Sequence, residues 1–257
     1  MCGRYAFHSD ADFVAKLFGL AEIPEFLTPR FNIAPSQKVP VVAAKPDGVT
    51  RKLGQLSWGL LPSWANDRKI HRPINARAET VSSSGMFSTP FRTQRCLIPA
   101  SGFYEWQAVA KKKQPHYIRM KDGHPFAFAG LWDVWSEGET KVITCCSITT
   151  TPNELMVPIH NRMPVIIAAE HYTDWLAVHT PLARLKELLT PYPSDAMEAF
   201  AVSSYVSKAT NEGSKCIEQK DRSDDDRGPL ADHDRAGLHA PTELQRLKRP
   251  MISKTTF

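Results

Sequence analysis

The sequence has no apolar run approaching the roughly 18 residues that a helical membrane span requires, so a membrane protein of that type is excluded. It has no CxxC pair and no Cys/His group at metal-ligand spacing, so neither a metal site nor a cofactor is expected. Its five cysteines are an odd set: Cys145 and Cys146 are adjacent, and Cys2, Cys96 and Cys216 stand far apart. That is no disulfide framework, and it points to a reducing compartment, the cytoplasm. The first ten residues, MCGRYAFHSD, lack the basic and apolar regions of a secretory signal. Internal repeats are absent. A dominant charge is missing too: the net +5 is a mild basic bias, compatible with a nucleic-acid partner without demanding one.

What is present is a chain of 257 residues, long enough for one large domain or two small ones and for a core that needs no staples. Charge divides it unevenly. Residues 218–235 carry a local −3 and the last 22 residues +3, which leaves +5 on residues 1–217. Up to about Phe200 the chain alternates short apolar runs with turn residues. Runs at Arg4–Phe7, Val39–Ala43, Cys96–Pro99, Gly102–Trp106, Tyr117–Met120, Phe126–Leu131, Val142–Thr149 and Val165–Ala168 have the length and β-branched or aromatic content of strands. Turns at Lys111–Lys113 and Asp122-Gly123 make Phe103–Phe128 an antiparallel meander.

Helices are fewer. Ser9-Asp10 is expected to cap a helix through Leu20, with Phe13, Leu17 and Leu20 as its apolar face. Glu170–Val178 and Pro181–Leu189 form a helix pair with Leu182, Leu185, Leu188 and Leu189 buried. Strands mixed irregularly with helices predict α+β. Beyond residue 218 apolar periodicity fades, so 1–218 reads as one domain and 219–257 as a charged, mostly disordered tail.

Four places carry chemistry-bearing residues. Cys2 follows the initiator Met1, and removal of that methionine would leave a thiol beside a free α-amine. Such an amine is roughly a tenth to a fifth neutral at pH 7; it can condense with an aldehyde, and the adjacent sulfur can then close a five-membered ring. In Pro73–Glu79, Asn75 supplies a donor and an acceptor and Arg77 a fork suited to phosphate, although the segment also reads as a helix entry. Glu105 lies between Tyr104 and Trp106; facing a pocket it would be a usable acid/base, facing solvent an ordinary strand carboxylate. His160 and Arg162 sit in Pro158–Pro164, a polar loop before an apolar strand. Trp58 reads as core, and Trp64, after Pro62, as a surface residue on which an unpaired base could stack.

Taken in order, MCGRY at 1–5, FNIAPSQ at 31–37, WGLLPSW at 58–64, NARAET at 75–80, GFYEW at 102–106 and HNRMP at 160–164 closely resemble the SRAP family, the SOS-response-associated peptidase-like, abasic-site-processing proteins. The resemblance covers about residues 2–218. It implies a single α+β domain with a β-rich, barrel-like core and a basic groove for single-stranded DNA. It implies that mature Cys2 bonds covalently to the ring-opened aldehyde of an abasic site, with Asn75 orienting the amine, Glu105 as acid/base and His160 as its proton-handling partner. Arg4, Arg77 and Arg162 fall at backbone-contacting positions, and Asn32, Pro35 and Trp64 at positions that shape the groove or wedge the strand. Two features depart from the pattern: Ser82–Gly85 holds no basic residue, and Ser207 replaces an Asn.

The expected partner is therefore single-stranded DNA with an abasic site, taken up by a monomer without membrane association. Two other classes compete: a cysteine peptidase or N-terminal-nucleophile hydrolase built on Cys2, and a non-covalent single-strand binder using Arg77, Arg162 and Trp64.

Overall fold

A computed structural model describes residues 2–45, 47, 48 and 50–220. The tail expected to be disordered lies outside them from residue 221 onward. The strands are β1 (Tyr5–Phe7), β2 (Arg30–Ile33), β3 (Lys38–Ala44), β4 (Arg51–Trp58), β5 (Asn75–Arg77), β6 (Arg95–Ala100) and β7 (Gly102–Val109). After them come β8 (Lys112–Met120), β9 (Phe126–Glu137), β10 (Thr140–Thr150), β11 (Met163–Pro164), β12 (Ile166–Ile167) and β13 (Met197–Ala201). The α-helices are short: α1 (Ala11–Phe18), α2 (Ser88–Thr93), α3 (Tyr172–Leu176) and α4 (Leu182–Glu187).

Five strands close on themselves. β4, β3, β6, β9 and β10 pair in that order, and β10 returns to β4 through the parallel pairs Thr144↔Ser57 and Cys145↔Trp58. Closure removes the sheet's edges and gives the barrel-like core that the sequence led us to expect, within an α+β chain. A second sheet, ordered β13-β8-β7-β1-β2, carries Glu105 on β7, and its strand β1 begins three residues after Cys2. Its strands alternate between two faces. Phe103 and Ile118 join the main core, whereas Tyr104, Tyr117 and Phe200 form an aromatic cluster on the other side. That cluster requires a glycine at 102, because a Cβ there would stand 2.3 Å from the Tyr117 ring.

The expected meander is only half realised. β7 and β8 form a hairpin, but its tight turn is Ala110-Lys111, so Lys112 and Lys113 already belong to β8. After Asp122-Gly123 the chain leaves this sheet, because the backbone of Phe126–Leu131 pairs with β6 inside the ring. Helix α1 is capped by Asp10, whose carboxylate accepts from the Phe13 N–H at 3.0 Å. It ends at Phe18 and not Leu20, since Gly19 takes a left-handed conformation at φ 61°. Its buried residues are Val14 and Phe18, one turn apart, and Phe13 turns outward. The 73–79 segment does not enter a helix; β5 is a strand because it pairs in parallel with Ser147–Thr149.

Arg95 fastens the helices to the ring. Its buried guanidinium donates to the carbonyls of Phe91 (2.8 Å), Arg92 (2.5 Å), Trp175 (2.7 Å) and Ala177 (2.6 Å). It thereby caps the C-terminal ends of α2 and α3 with one positive group. Burial lowers its pKa to about 10, so it stays charged near neutrality. Arg95→Met should cost about 3 kcal/mol in urea denaturation, because it strands several buried carbonyls. Arg95→Lys should recover less than half of that, as one ammonium cannot span both helix ends. The opposite sign is expected at Tyr5, whose buried hydroxyl has no partner among the described residues: Tyr5→Phe should raise stability by about 1 kcal/mol with an unchanged denaturant slope.

Candidate active site

Cys2 lies three residues before β1, a strand seated between β7 and β2. The Asn75 side-chain amide donates to the Cys2 carbonyl at 2.9 Å, and the Ser147 hydroxyl donates to the Asn75 Oδ1 at 2.5 Å. Because a carbonyl only accepts, the Cys2 oxygen fixes the amide NH2 of Asn75 toward it, and the Ser147 hydroxyl, which can donate or accept, donates to the Oδ1 left on the other side. The parallel register Ser147↔Asn75 sets this pair side by side.

Glu105 emerges from β7 on the face shared with Phe103 and is only 3% exposed, so the solvent-facing alternative is excluded. Burial lifts its pKa to about 7. Its Oε2 lies 3.9 Å from the Nε2 of His160. Burial also lowers the His160 pKa, and the nearby charges of Lys113 and Arg162 act in the same direction. A carboxyl raised and an imidazole lowered toward each other make a pair between which a proton moves at little cost.

The backbone of Arg162 serves this pair in an unusual way. Its N–H donates to the His160 Nδ1 at 3.0 Å, and its carbonyl oxygen lies 3.1 Å from the same nitrogen. One contact suits the tautomer protonated at Nε2 and the other the tautomer protonated at Nδ1. Either form is therefore accommodated without moving the ring.

Cys2 completes the group. Burial pushes its thiol above the ordinary range, and the charge of Glu105 pushes it further in the same direction. The thiol thus stays protonated at neutral pH, in contrast to the electropositive setting that makes a cysteine a ready thiolate. Cys2, Asn75, Glu105 and His160 converge on one place, although 158 positions separate the first from the last.

The other expected residues take different positions. Arg162 is buried, with its guanidinium in a two-pronged ion pair to Glu79 (2.5 and 3.0 Å) and a further bond to the Thr149 carbonyl (2.6 Å). Arg4 donates to the Asn32 Oδ1 and the Val206 carbonyl, both at 2.8 Å, and lies over the Trp106 ring. Buried Asn32 donates to the carbonyls of Val206, Lys208 and Asn211, so both residues tie down the 206–211 segment. Arg77 is exposed at the end of β5.

Trp64 is 59% exposed, and Trp58 is core, as expected. The turn beneath Trp64 is pinned by the Ser63 N–H donating to Asp133 and the Trp135 indole donating to the Ala65 carbonyl. Pro35 is half-buried in a tight turn whose next residue, Ser36, has φ 70° and donates its N–H to the Trp58 carbonyl. Sequence reasoning missed Ser147, Thr149 and the clamp role of Glu79. The first two lie inside an apolar-looking strand, and Glu79 meets its partner Arg162 across 83 positions of sequence.

Comparison with known proteins finds relatives along most of the chain. The family described as SOS response associated peptidase (SRAP) matches residues 1–209. Abasic site processing protein YoqW of Bacillus subtilis is 44% identical over 224 residues, covering 85% of this chain and 99% of that protein. Abasic site processing protein YedK of Escherichia coli is 28% identical, over 85% and 99% of the two chains. A crystal structure of a protein from Bacteroides thetaiotaomicron superposes with a TM-score of 0.78 at 25% identity, over 85% of this chain and all of that one. With the family match running through all four converging residues, the chain belongs to the SOS response associated peptidase (SRAP) family.

Proposed function

We propose that this protein processes abasic sites in single-stranded DNA by bonding Cys2 covalently to the lesion. The observation that carries this reading is the matched proton pair, Glu105 and His160, beside a cysteine whose thiol resists ionisation. A closed deoxyribose must lose a proton from O1′ and gain one on O4′ before its aldehyde appears. Two groups that exchange a proton easily suit that step. The α-amine of Cys2, freed by removal of Met1, then attacks C1′ and expels water to give an imine. The neutral thiol adds across the C=N bond, sulfur to carbon and hydrogen to nitrogen, and closes a thiazolidine. Asn75 holds the Cys2 carbonyl while this occurs. Ring closure removes the electron sink that an imine offers to β-elimination, so the strand stays intact.

Exposed Arg77 suits a phosphate contact and exposed Trp64 suits stacking on an unpaired base. Arg4, Asn32, Pro35 and Arg162 contribute by shaping the surfaces between them. A peptidase that attacks through a Cys2 thiolate is disfavoured by the same buried, hard-to-ionise sulfur.

Mixing with a single-stranded oligonucleotide that contains one abasic site should give a denaturant-stable adduct without borohydride. The adduct should be absent with the intact strand and absent in Cys2→Ala; an undiminished adduct in that variant would overturn the reading. Glu105→Gln should slow adduct formation by about 100-fold. The same substitution should stabilise the fold. A carboxyl whose pKa is raised to about 7 in the folded protein contributes fully below its unfolded pKa of about 4.3, and loses that contribution as pH rises through 7. Relative to wild type, Glu105→Gln should therefore gain about 3 kcal/mol at pH 8 and nothing at pH 4, measured by denaturant unfolding at both.

A further inference from the structure

Glu105 must both take and give a proton in the proposed reaction, yet it is 3% exposed. On one flank of β7 runs β1, just after Cys2, and on the other runs β8. The residue of β8 directly opposite Glu105 is His116. Directly opposed residues hold their Cβ atoms about 4.5–5.5 Å apart on the same face. The facial assignment is independent of that pairing: Ile118, two residues on from His116, lies in the main core with Phe103, whereas Tyr117 joins the aromatic cluster behind the sheet. His116 thus shares the face of Glu105, on the side away from Cys2, and is half-buried where Glu105 is fully buried.

The ring's protonation pattern follows from one contact. His116 Nδ1 lies 3.2 Å from the Gln114 carbonyl oxygen. A carbonyl only accepts, so Nδ1 carries the hydrogen, and in the neutral ring Nε2 is the basic nitrogen. Of the two residues paired with it, Glu105 on β7 is titratable and Ala201 on β13 carries no charge. The 151–162 loop brings His160 beside Glu105, and the charge of Lys113, three residues before His116, bears on His160.

We propose that His116 is a positioning residue that resets Glu105: its Nε2 takes the carboxyl proton, directly or through one water, and passes it to solvent on the flank that the DNA-bearing Cys2 does not occupy. The O–H bond of Glu105 breaks, an N–H bond forms on His116, and the proton leaves to water, so no other reactant is required. This rests on the proposed function, in which His160 is engaged with the sugar while Glu105 still has to exchange protons. Burial holds the imidazole below its ordinary pKa, which keeps it neutral and able to accept at pH 7.

The experiment is single-turnover adduct formation with an abasic single strand from pH 6 to 9. His116→Ala should be about tenfold slower with a displaced pH profile. Added imidazole should restore its rate in proportion to concentration, while affinity for an undamaged strand and thermal stability stay at wild-type values. His116→Phe, which keeps the ring volume, should be equally slow and unresponsive to imidazole; it also substitutes for the Ala variant if that one folds poorly. Wild-type rates and profiles in both variants, or a loss that imidazole does not restore in His116→Ala, would overturn the role. Failure of the wild type itself to form the adduct would instead overturn the underlying reading of function.

Discussion

The parallel seating of β5 against β10 fixes more of this molecule than any other contact. β10 is paired with β9 along most of its length, with β4 near its middle, and with β5 and β11 toward its end. One strand therefore closes the ring and aligns the site. The register that places Ser147 beside Asn75 lets a hydroxyl satisfy the Oδ1 of the amide that holds the Cys2 carbonyl. Two residues on, Thr149 pairs with Arg77 and accepts from the Arg162 guanidinium. A slip of one residue in that register would turn Asn75 away from Cys2 and Arg77 inward, since side chains alternate with a period of two.

Electrostatics follow from burial on this frame. The sheet bearing β7 and β8 packs one face on the barrel, and Glu105 sits where that packing ends, deep enough to lose its hydration. Its raised pKa is the consequence, and with it comes a stability that falls as pH rises from the ordinary carboxyl range through about 7. Arg162, also buried, is treated oppositely: Glu79 neutralises its guanidinium, while its backbone N–H and carbonyl both meet the Nδ1 of His160. The side chain of Arg162 thus anchors a loop whose main chain accommodates either imidazole tautomer. Arg95 shows the remaining option for a buried cation, compensation by carbonyl oxygens alone.

Local chemistry was legible where it depends on neighbours in the chain. The Asp10 cap, the turn at Asp122-Gly123 and most of the apolar strands were readable, because capping, turn formation and burial of a short apolar run act over a few residues. β2, β4, β5, β11 and β13 were not. They are short or polar-mixed segments that become strands because a partner strand takes up their hydrogen bonds. The meander failed at β9 for a related reason: pairing with β6 in the ring, which is remote in sequence, took the place of pairing with the adjacent β8.

The amino-acid sequence by itself determined the candidates for the site: an aminothiol candidate at position 2, and Asn75, Glu105 and His160 within motifs specific enough to identify a family. Residue identity sets what a side chain can donate, accept or attack, and that needs no coordinates. Only the tertiary structure decided their working state. Which end of Asn75 faces Cys2, whether Glu105 meets water or the core, and that Arg162 is clamped by Glu79 are all settled by strands far apart in the chain. Burial and register are long-range quantities, and the protonation behaviour of the site is set by both.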